Sequence, residues 1–495
     1  MIQKNDIFEL QIEDITEQGE GIGRVSGYAL FVKDTVPKDL VKVKVIKAGK
    51  SYGYGKCLEV IRPSDDRVVP RCPAASPCGG CQLQAMRYPA QLAFKRRKVT
   101  EHLRRIGGLE AGCGEDRDVP VYVEPVIGME EPWEYRGKFL VPVRRRKDGG
   151  IAMGFYAGRT HSVIETPHCY LGDAVYDKIL AVVKEFLTEF GIAPYEESSG
   201  KGTVRHVMIR KGKKTGQIMV CLVINAKKLP HAEQLAERLS AIPGLVSFSL
   251  NVNRERNNVI MGSQIIPVMG KPYIEDRIGD VVYRISPLSF FQVNPEQTEK
   301  LYGKVLEFAA LTGKETVWDL YCGTGTISLF LAGHARRVYG VEIVPDAVKD
   351  ARFNARRNGI ENAEFFCGRA EEVMPALLGQ GAEGTDTADT AVVDPPRKGC
   401  DAALISTLIR MKPGKIIYVS CDSATLARDL KILCRDGGYS IECVQPVDMF
   451  PQSGGIETVV CLSNKKSKDY VEIGVDAEDY YRIKNSEKET GQYEK

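Results

Sequence analysis

From Pro295 onward the chain alternates helical and strand-like segments, and that alternation allows few folds. The strand-like runs are T-V-W-D-L, R-V-Y-G-V-E-I, A-E-F-F, T-A-V-V-D and K-I-I-Y-V-S, with helical segments between them. Such a pattern specifies an α/β fold, a doubly wound parallel sheet with right-handed crossovers. Ligands bind such sheets in the loops at the carboxyl ends of the strands. Three of those loops carry polar chemistry. The first is Asp319-Leu320-Tyr321-Cys322-Gly323-Thr324-Gly325-Thr326, the second Asp394-Pro395-Pro396-Arg397, and the third begins at Cys421.

Upstream of this region the patterning changes twice. Residues 1–62 contain F-E-L-Q-I-E-D-I, Y-A-L-F-V, K-V-K-V-I and K-C-L-E-V-I, punctuated by Gly19, Gly21, Gly23 and Gly27. Short alternating strands with glycine turns predict an OB-like β-barrel, a class that binds single-stranded nucleic acid. Residues 63–290 read as a central α+β domain that opens with a cysteine motif and a basic helix-like run, Arg87 to Ile106, within a helical segment, 84–107, expected to pack on the catalytic domain. Residues 291–464 are the doubly wound domain, and 465–495 form a charged tail. Residues 379–390 read as a polar, glycine-rich loop.

Composition narrows the class. The 43% hydrophobic content is that of a globular protein, and no run reaches the ~18 apolar residues of a membrane span. The first residues lack a signal-peptide core, so a cytoplasmic, monomeric protein is expected. Fourteen cysteines in a reducing compartment read as buried thiols, metal ligands or catalytic groups. The net charge of +3 says little, but Lys95–Lys98, Arg144–Lys147 and the run 209–214 concentrate basic residues. Such clusters are expected to grip RNA phosphates.

The loops suggest a chemistry. Gly323 and Gly325 let the backbone approach a ligand closely, and Glu342 ends the next strand, where an acid holds ribose hydroxyls. Ser328 breaks the dinucleotide pattern and no Walker lysine follows, so S-adenosylmethionine (AdoMet) is the expected ligand. In amine methyltransferases an acid-or-amide-Pro-Pro element usually ends in an aromatic residue. Here it ends in Arg397, with Cys421 waiting on the next strand, which favours methylation at carbon. Carbon 5 of uracil becomes nucleophilic when a thiolate adds to carbon 6, and a base must later remove the carbon-5 proton. Cys421 and Glu457 fill those roles. The segment Cys72-x5-Cys78-x2-Cys81 has tight ligand spacing, with Cys169 the best fourth ligand. Zinc and an iron–sulfur cluster both take four such ligands, and spacing leaves the two open.

Taken together, C-x5-C-x2-C, S-F-F-Q-V-N, D-L-Y-C-G-x-G, D-P-P-R-K-G, S-C-D-S-A-T-L-A-R-D and D-M-F-P resemble the RNA uracil-C5 methyltransferases of the TrmA/RumA family. The closest branch has an N-terminal TRAM barrel and an iron–sulfur cluster, and its bacterial members modify 23S ribosomal RNA. The resemblance implies a Rossmann-like class I AdoMet methyltransferase domain. It implies a [4Fe–4S] cluster on Cys72, Cys78, Cys81 and Cys169, in place of zinc. It implies AdoMet contacts from Gln292, Tyr321, Thr326, Glu342 and Asp394 beside the loop glycines Gly323 and Gly325. It implies Cys421 as nucleophile, Glu457 as proton acceptor, and a single-stranded or flipped uridine as target. A tRNA substrate is the alternative within enzymes. The alternative of another class is an inactive iron–sulfur RNA-binding protein. The chain departs from the family's common F-P-H-T-x-H-x-E at Gln452 and Gly455, and from S-C-N-P at Asp422 and Ser423.

Overall fold

The computed structural model describes residues 2–158, 160–379 and 388–464. The charged tail and most of the glycine-rich loop, 380–387, lie outside the described residues.

The catalytic sheet has seven strands: β1 (Thr316–Leu320), β2 (Arg337–Glu342), β3 (Ala363–Cys367), β4 (Thr390–Val393), β5 (Lys415–Ser420), β6 (Tyr439–Val447) and β7 (Glu457–Asn464). Their spatial order is β3-β2-β1-β4-β5-β7-β6. β1 to β5 pair in parallel, whereas β7 is antiparallel to both β5 and β6. The sequence pattern anticipates the parallel part. The antiparallel edge arises because β6 and β7 are joined by a loop, 448–456, with no crossover helix to turn the chain back. β1, β4 and β7 are buried along their whole length. Both faces of the sheet are covered, and near-continuous apolar runs result.

Six strands between Ile7 and Arg62 form the N-terminal sheet, enclosing a small core of Leu10, Leu30, Val32, Val41, Val43 and Val45. The central sheet also has six strands, running from Lys138–Arg145 to Gln264–Gly270. One of its faces is covered by helices Val175–Glu189 and Ala232–Ser240. From its other face Met208, Met219 and Cys221 join the core of the catalytic sheet. The central and catalytic sheets therefore share an apolar interior rather than a wet boundary.

Helix Tyr88–Arg105 overturns one expectation. Most of the cluster at 95–98 is engaged inside the protein, and Arg97 is its exposed member. Lys95 is fully buried, with Nζ 2.6 Å from Asp448 Oδ1 and donating to the Phe450 carbonyl. Arg96 donates to the Val123 carbonyl, Arg97 pairs with Asp14, and Lys98 pairs with Glu17. The helix also buries Val99 and Leu103 against Leu426, Ala427 and Leu430. It is a strut between the N-terminal sheet and the catalytic domain. Arg210 of the third cluster is likewise buried and donates to the Ser286 and Ser289 carbonyls. Lys211 pairs with Asp173, Lys214 with Glu299, and Arg144 with Glu197.

Candidate active site

Strand order reverses between β1 and β4, and the crevice beside this switch point opens into a cavity of about 1590 Å³. Gln292, Tyr321, Gly323, Thr326, Glu342, Asp394, Cys421 and Glu457 all line it. Gly325, expected beside them, does not. Its φ is +80°, and a Cβ there would stand 3.0 Å from the Phe365 ring. Gly325 is needed for the turn and for packing.

The β1 loop is held in shape by its neighbour. The Tyr321 and Cys322 N–H groups donate to the Val341 carbonyl at 3.0 and 3.1 Å. The Gly323 N–H donates to Glu342 Oε2 at 3.1 Å, and the Val344 N–H to Oε1 at 2.9 Å. Glu342 thus braces the loop as well as facing the cavity. Thr326 Oγ1 accepts from the Tyr302 hydroxyl at 2.9 Å.

Three carboxyl groups crowd the floor. Burial raises Asp319 to about 6, although Ser328 donates to its Oδ2. Burial, and then the nearby Asp319, raise Asp394 to about 7. Burial and Asp394 push Glu457 well above the usual carboxylate range, while Arg397 pulls it down. Asp319 Oδ1 and Glu457 Oε2 are buried without a hydrogen-bond partner. Unpaired buried acceptors are costly, and a cationic ligand relieves that cost. The donor set fits AdoMet, whose sulfonium is positive.

Cys421 leaves the end of β5 just before helix Ser423–Arg435, which Asp422 caps by accepting from the Ala424 and Thr425 N–H groups. β7 runs antiparallel to β5 with Thr458 opposite Ser420, so Glu457 comes level with Cys421. Burial lifts the Cys421 thiol to about 11, with Glu457 and Asp394 adding to the rise and Arg397 opposing it. Arg397 is therefore a cation that acts on both Cys421 and Glu457. Its position in D-P-P-R was visible in the sequence, but its action on Cys421 and Glu457 was not. Phe290, in S-F-F-Q-V-N, is 69% exposed and lines the same cavity, a residue the sequence reading passed over. Of the two residues at the positions of the family's histidines, Gly455 lines the cavity and Gln452 is tied into the fold. The Gln452 carbonyl accepts from the Gln82 and Leu83 N–H groups, and its side chain bonds Gln91.

The four candidate metal ligands are all half-buried and free of disulfides. They are neighbours. Cys81 is raised to about 12, by burial first and then by Cys169, Cys78 and Cys72. Cys169 is raised to about 11, by burial and then by Cys78 and Cys72. They do not form a closed ligand set: among the described residues no three metal-ligating side chains converge on one point. As a donor set these half-buried thiols suit a thiophilic metal centre.

A family model described as tRNA (Uracil-5-)-methyltransferase matches residues 214–465, and a TRAM domain model matches residues 3–58. A protein of Halalkalibacterium halodurans named as an uncharacterized RNA methyltransferase is 50% identical over 94% of this chain and 98% of its own length. One of the same description from Clostridium acetobutylicum is 46% identical over 93% of this chain and 98% of its own. Among solved structures, the tRNA (uracil-54, C5)-methyltransferase of Pyrococcus abyssi in complex with S-adenosyl-L-homocysteine is similar, with a TM-score of 0.72 and 29% identity. That match covers 92% of this chain and 100% of the other. The chain belongs to the TrmA/RumA-type RNA uracil-5-methyltransferases, AdoMet-dependent enzymes, and carries an N-terminal TRAM domain.

Proposed function

We propose that this enzyme forms 5-methyluridine in 23S ribosomal RNA, with Cys421 as nucleophile and Glu457 as proton acceptor. The observation that carries the chemistry is the meeting of Cys421, Glu457, Asp394 and Arg397 on one cavity at the carboxyl end of the sheet. The Cys421 sulfur adds to uracil carbon 6, and the ring's electrons move to carbon 5. AdoMet, when bound, supplies the methyl group that carbon 5 takes up. Glu457 then accepts the carbon-5 proton, the carbon 5–carbon 6 double bond re-forms, and the thiolate leaves. Gln292, Tyr321, Thr326, Glu342 and Asp394 would hold AdoMet, around the backbone of Gly323.

The TRAM domain supplies a surface suited to RNA. On its outer face Lys33 stands opposite Lys56 and Lys56 opposite Lys44, making a basic row across three strands. The next row pairs Phe31 with Tyr54. Tyr52 completes a group of three rings with centroids 5.6 to 6.0 Å apart, and it is 49% exposed. Aromatic rings beside lysines stack bases and attract the backbone. Lys33 also lines the catalytic cavity, so this face leads to its mouth. A uracil inside a helix keeps carbon 6 out of reach, so the target is single-stranded or flipped.

The ribosomal substrate rests on the barrel and the cysteine motif, which the ribosomal-RNA branch shares. A second reading, tRNA, is favoured by the likeness to the Pyrococcus abyssi enzyme. Mapping 5-methyluridine in total RNA from a strain lacking this protein separates the two. Loss at a 23S site is the expected result. Loss in tRNA alone would move the substrate, and no loss anywhere would favour a binding protein without activity.

The cysteines are proposed to hold a [4Fe–4S] cluster that supports folding and RNA recognition. Protein purified without oxygen is expected to be brown and to contain iron and sulfide, both lost in Cys81→Ala. A colourless protein, metal-free or with one zinc per chain, would refute this assignment.

A further inference from the structure

One carboxylate of the TRAM domain holds two side chains that reach the two catalytic loops. Glu17 sits between the strands Asp14–Ile15 and Gly21–Val25 and lines the cavity rim. Its Oε2 is 3.2 Å from Lys98 Nζ and its Oε1 is 3.0 Å from His102 Nε2, both from helix Tyr88–Arg105. Each partner reaches on to a different loop. Lys98 Nζ donates to the Gly454 carbonyl at 3.2 Å, in the loop that ends at Glu457. His102 Nδ1 lies 2.9 Å from Ser423 Oγ, in the first turn of the helix that follows Cys421. The Glu17 backbone also rests on Gly454, where a Cβ would come within 2.3 Å of the Glu17 carbonyl oxygen.

The helix supplying Lys98 and His102 has little freedom of its own. Lys95 is locked to Asp448 inside the protein, and the Tyr88 hydroxyl donates to the other Asp448 oxygen at 2.9 Å. The bond from His102, and then Lys98, hold the Glu17 carboxyl down to about 2 against the effect of burial, so it is ionised at neutral pH. Ser423 is one of the positions where this chain departs from the common family motif, so its hydroxyl contact belongs to this sequence.

We infer that Glu17 and His102 are positioning residues, through which docking of the TRAM domain sets the loops that carry Cys421 and Glu457. The inference rests on the roles proposed for those two residues. Misplacing a reacting atom by ~1 Å can cost about 10²-fold in rate, so a hydrogen bond behind the nucleophile loop has leverage.

The test is a mutant cycle on the full-length protein. Single-turnover formation of the covalent adduct with 5-fluorouracil RNA is measured at saturating RNA and AdoMet. Ser423→Ala and Glu17→Ala are each expected to slow adduct formation about tenfold, leaving AdoMet binding unchanged. The double variant should be no slower than the worse single, because Ser423 acts through the His102 that Glu17 already holds. Glu17→Gln, which keeps a hydrogen-bond acceptor, should recover part of the rate. Wild-type rates in both single variants, or losses that multiply in the double, would refute the inference. So would a loss confined to RNA affinity. Cys421→Ala is run beside them. If it still forms the adduct, the nucleophile assignment fails; if it does not and the losses multiply, only the positioning role fails.

Discussion

Cys421→Ala is expected to abolish both 5-methyluridine formation and the denaturant-resistant adduct with 5-fluorouracil RNA. Fluorine cannot leave carbon 5 as a proton, so the wild-type enzyme is trapped after methyl transfer, with sulfur bound to carbon 6. Removing a nucleophile from a covalent mechanism costs on the order of 10⁶-fold, far more than any loss of packing at a half-buried position. The thiol also carries a pH signature. Burial, Glu457 and Asp394 raise it to about 11, so in the ligand-free protein the thiolate is scarce at neutral pH. Alkylation of Cys421 should therefore climb about tenfold per pH unit beyond the range of an ordinary thiol, because the thiolate is the reactive form. An undiminished adduct in the alanine variant would remove Cys421 from this role.

Glu457→Gln should act later. The amide keeps the shape of the side chain but cannot take the carbon-5 proton. Attack and methyl transfer should proceed, release should slow, and adduct should accumulate on ordinary uridine RNA. The expected loss in turnover is about 10²–10⁴-fold. Burial and Asp394 hold the Glu457 carboxyl well above its usual range, with Arg397 opposing. A carboxylate of raised pKa, once ionised, is a better proton acceptor, which suits this step. Normal turnover without adduct in the glutamine variant would assign the proton to water or to another group.

Much of this site was legible in the chain. Asp319, Asp394 and Cys421 each follow an apolar run, and the runs alternate with helices, so topology alone sends those residues to one end of a parallel sheet. Glu457 was harder. It begins its strand, and in a parallel sheet the start of a strand lies at the opposite end from the ligand. Only because β7 runs antiparallel to β5 does its first residue reach Cys421. The motif pointed to Glu457, but the direction of the strand is what makes it usable. At Gly325 the structure shows a different service, a positive φ and close packing on Phe365 that fit the turn.

Charge was where local reading failed. Lys95-Arg96-Arg97-Lys98 looks like a surface patch for phosphate, yet Lys95 is buried against Asp448, 353 residues away in the chain. Burying a lysine is tolerated only when a carboxylate meets it, and sequence order does not reveal that partner. By itself, the sequence determined the parallel sheet, the ligand loops and the cysteine motif. Those features follow from short-range periodicity and from residue types that a given chemistry requires. The tertiary structure alone decided which cations face solvent, which glycine faces the cavity, and how Glu17 of the TRAM domain reaches both catalytic loops. Those outcomes depend on long-range pairing, where desolvation and geometry select one partner among many.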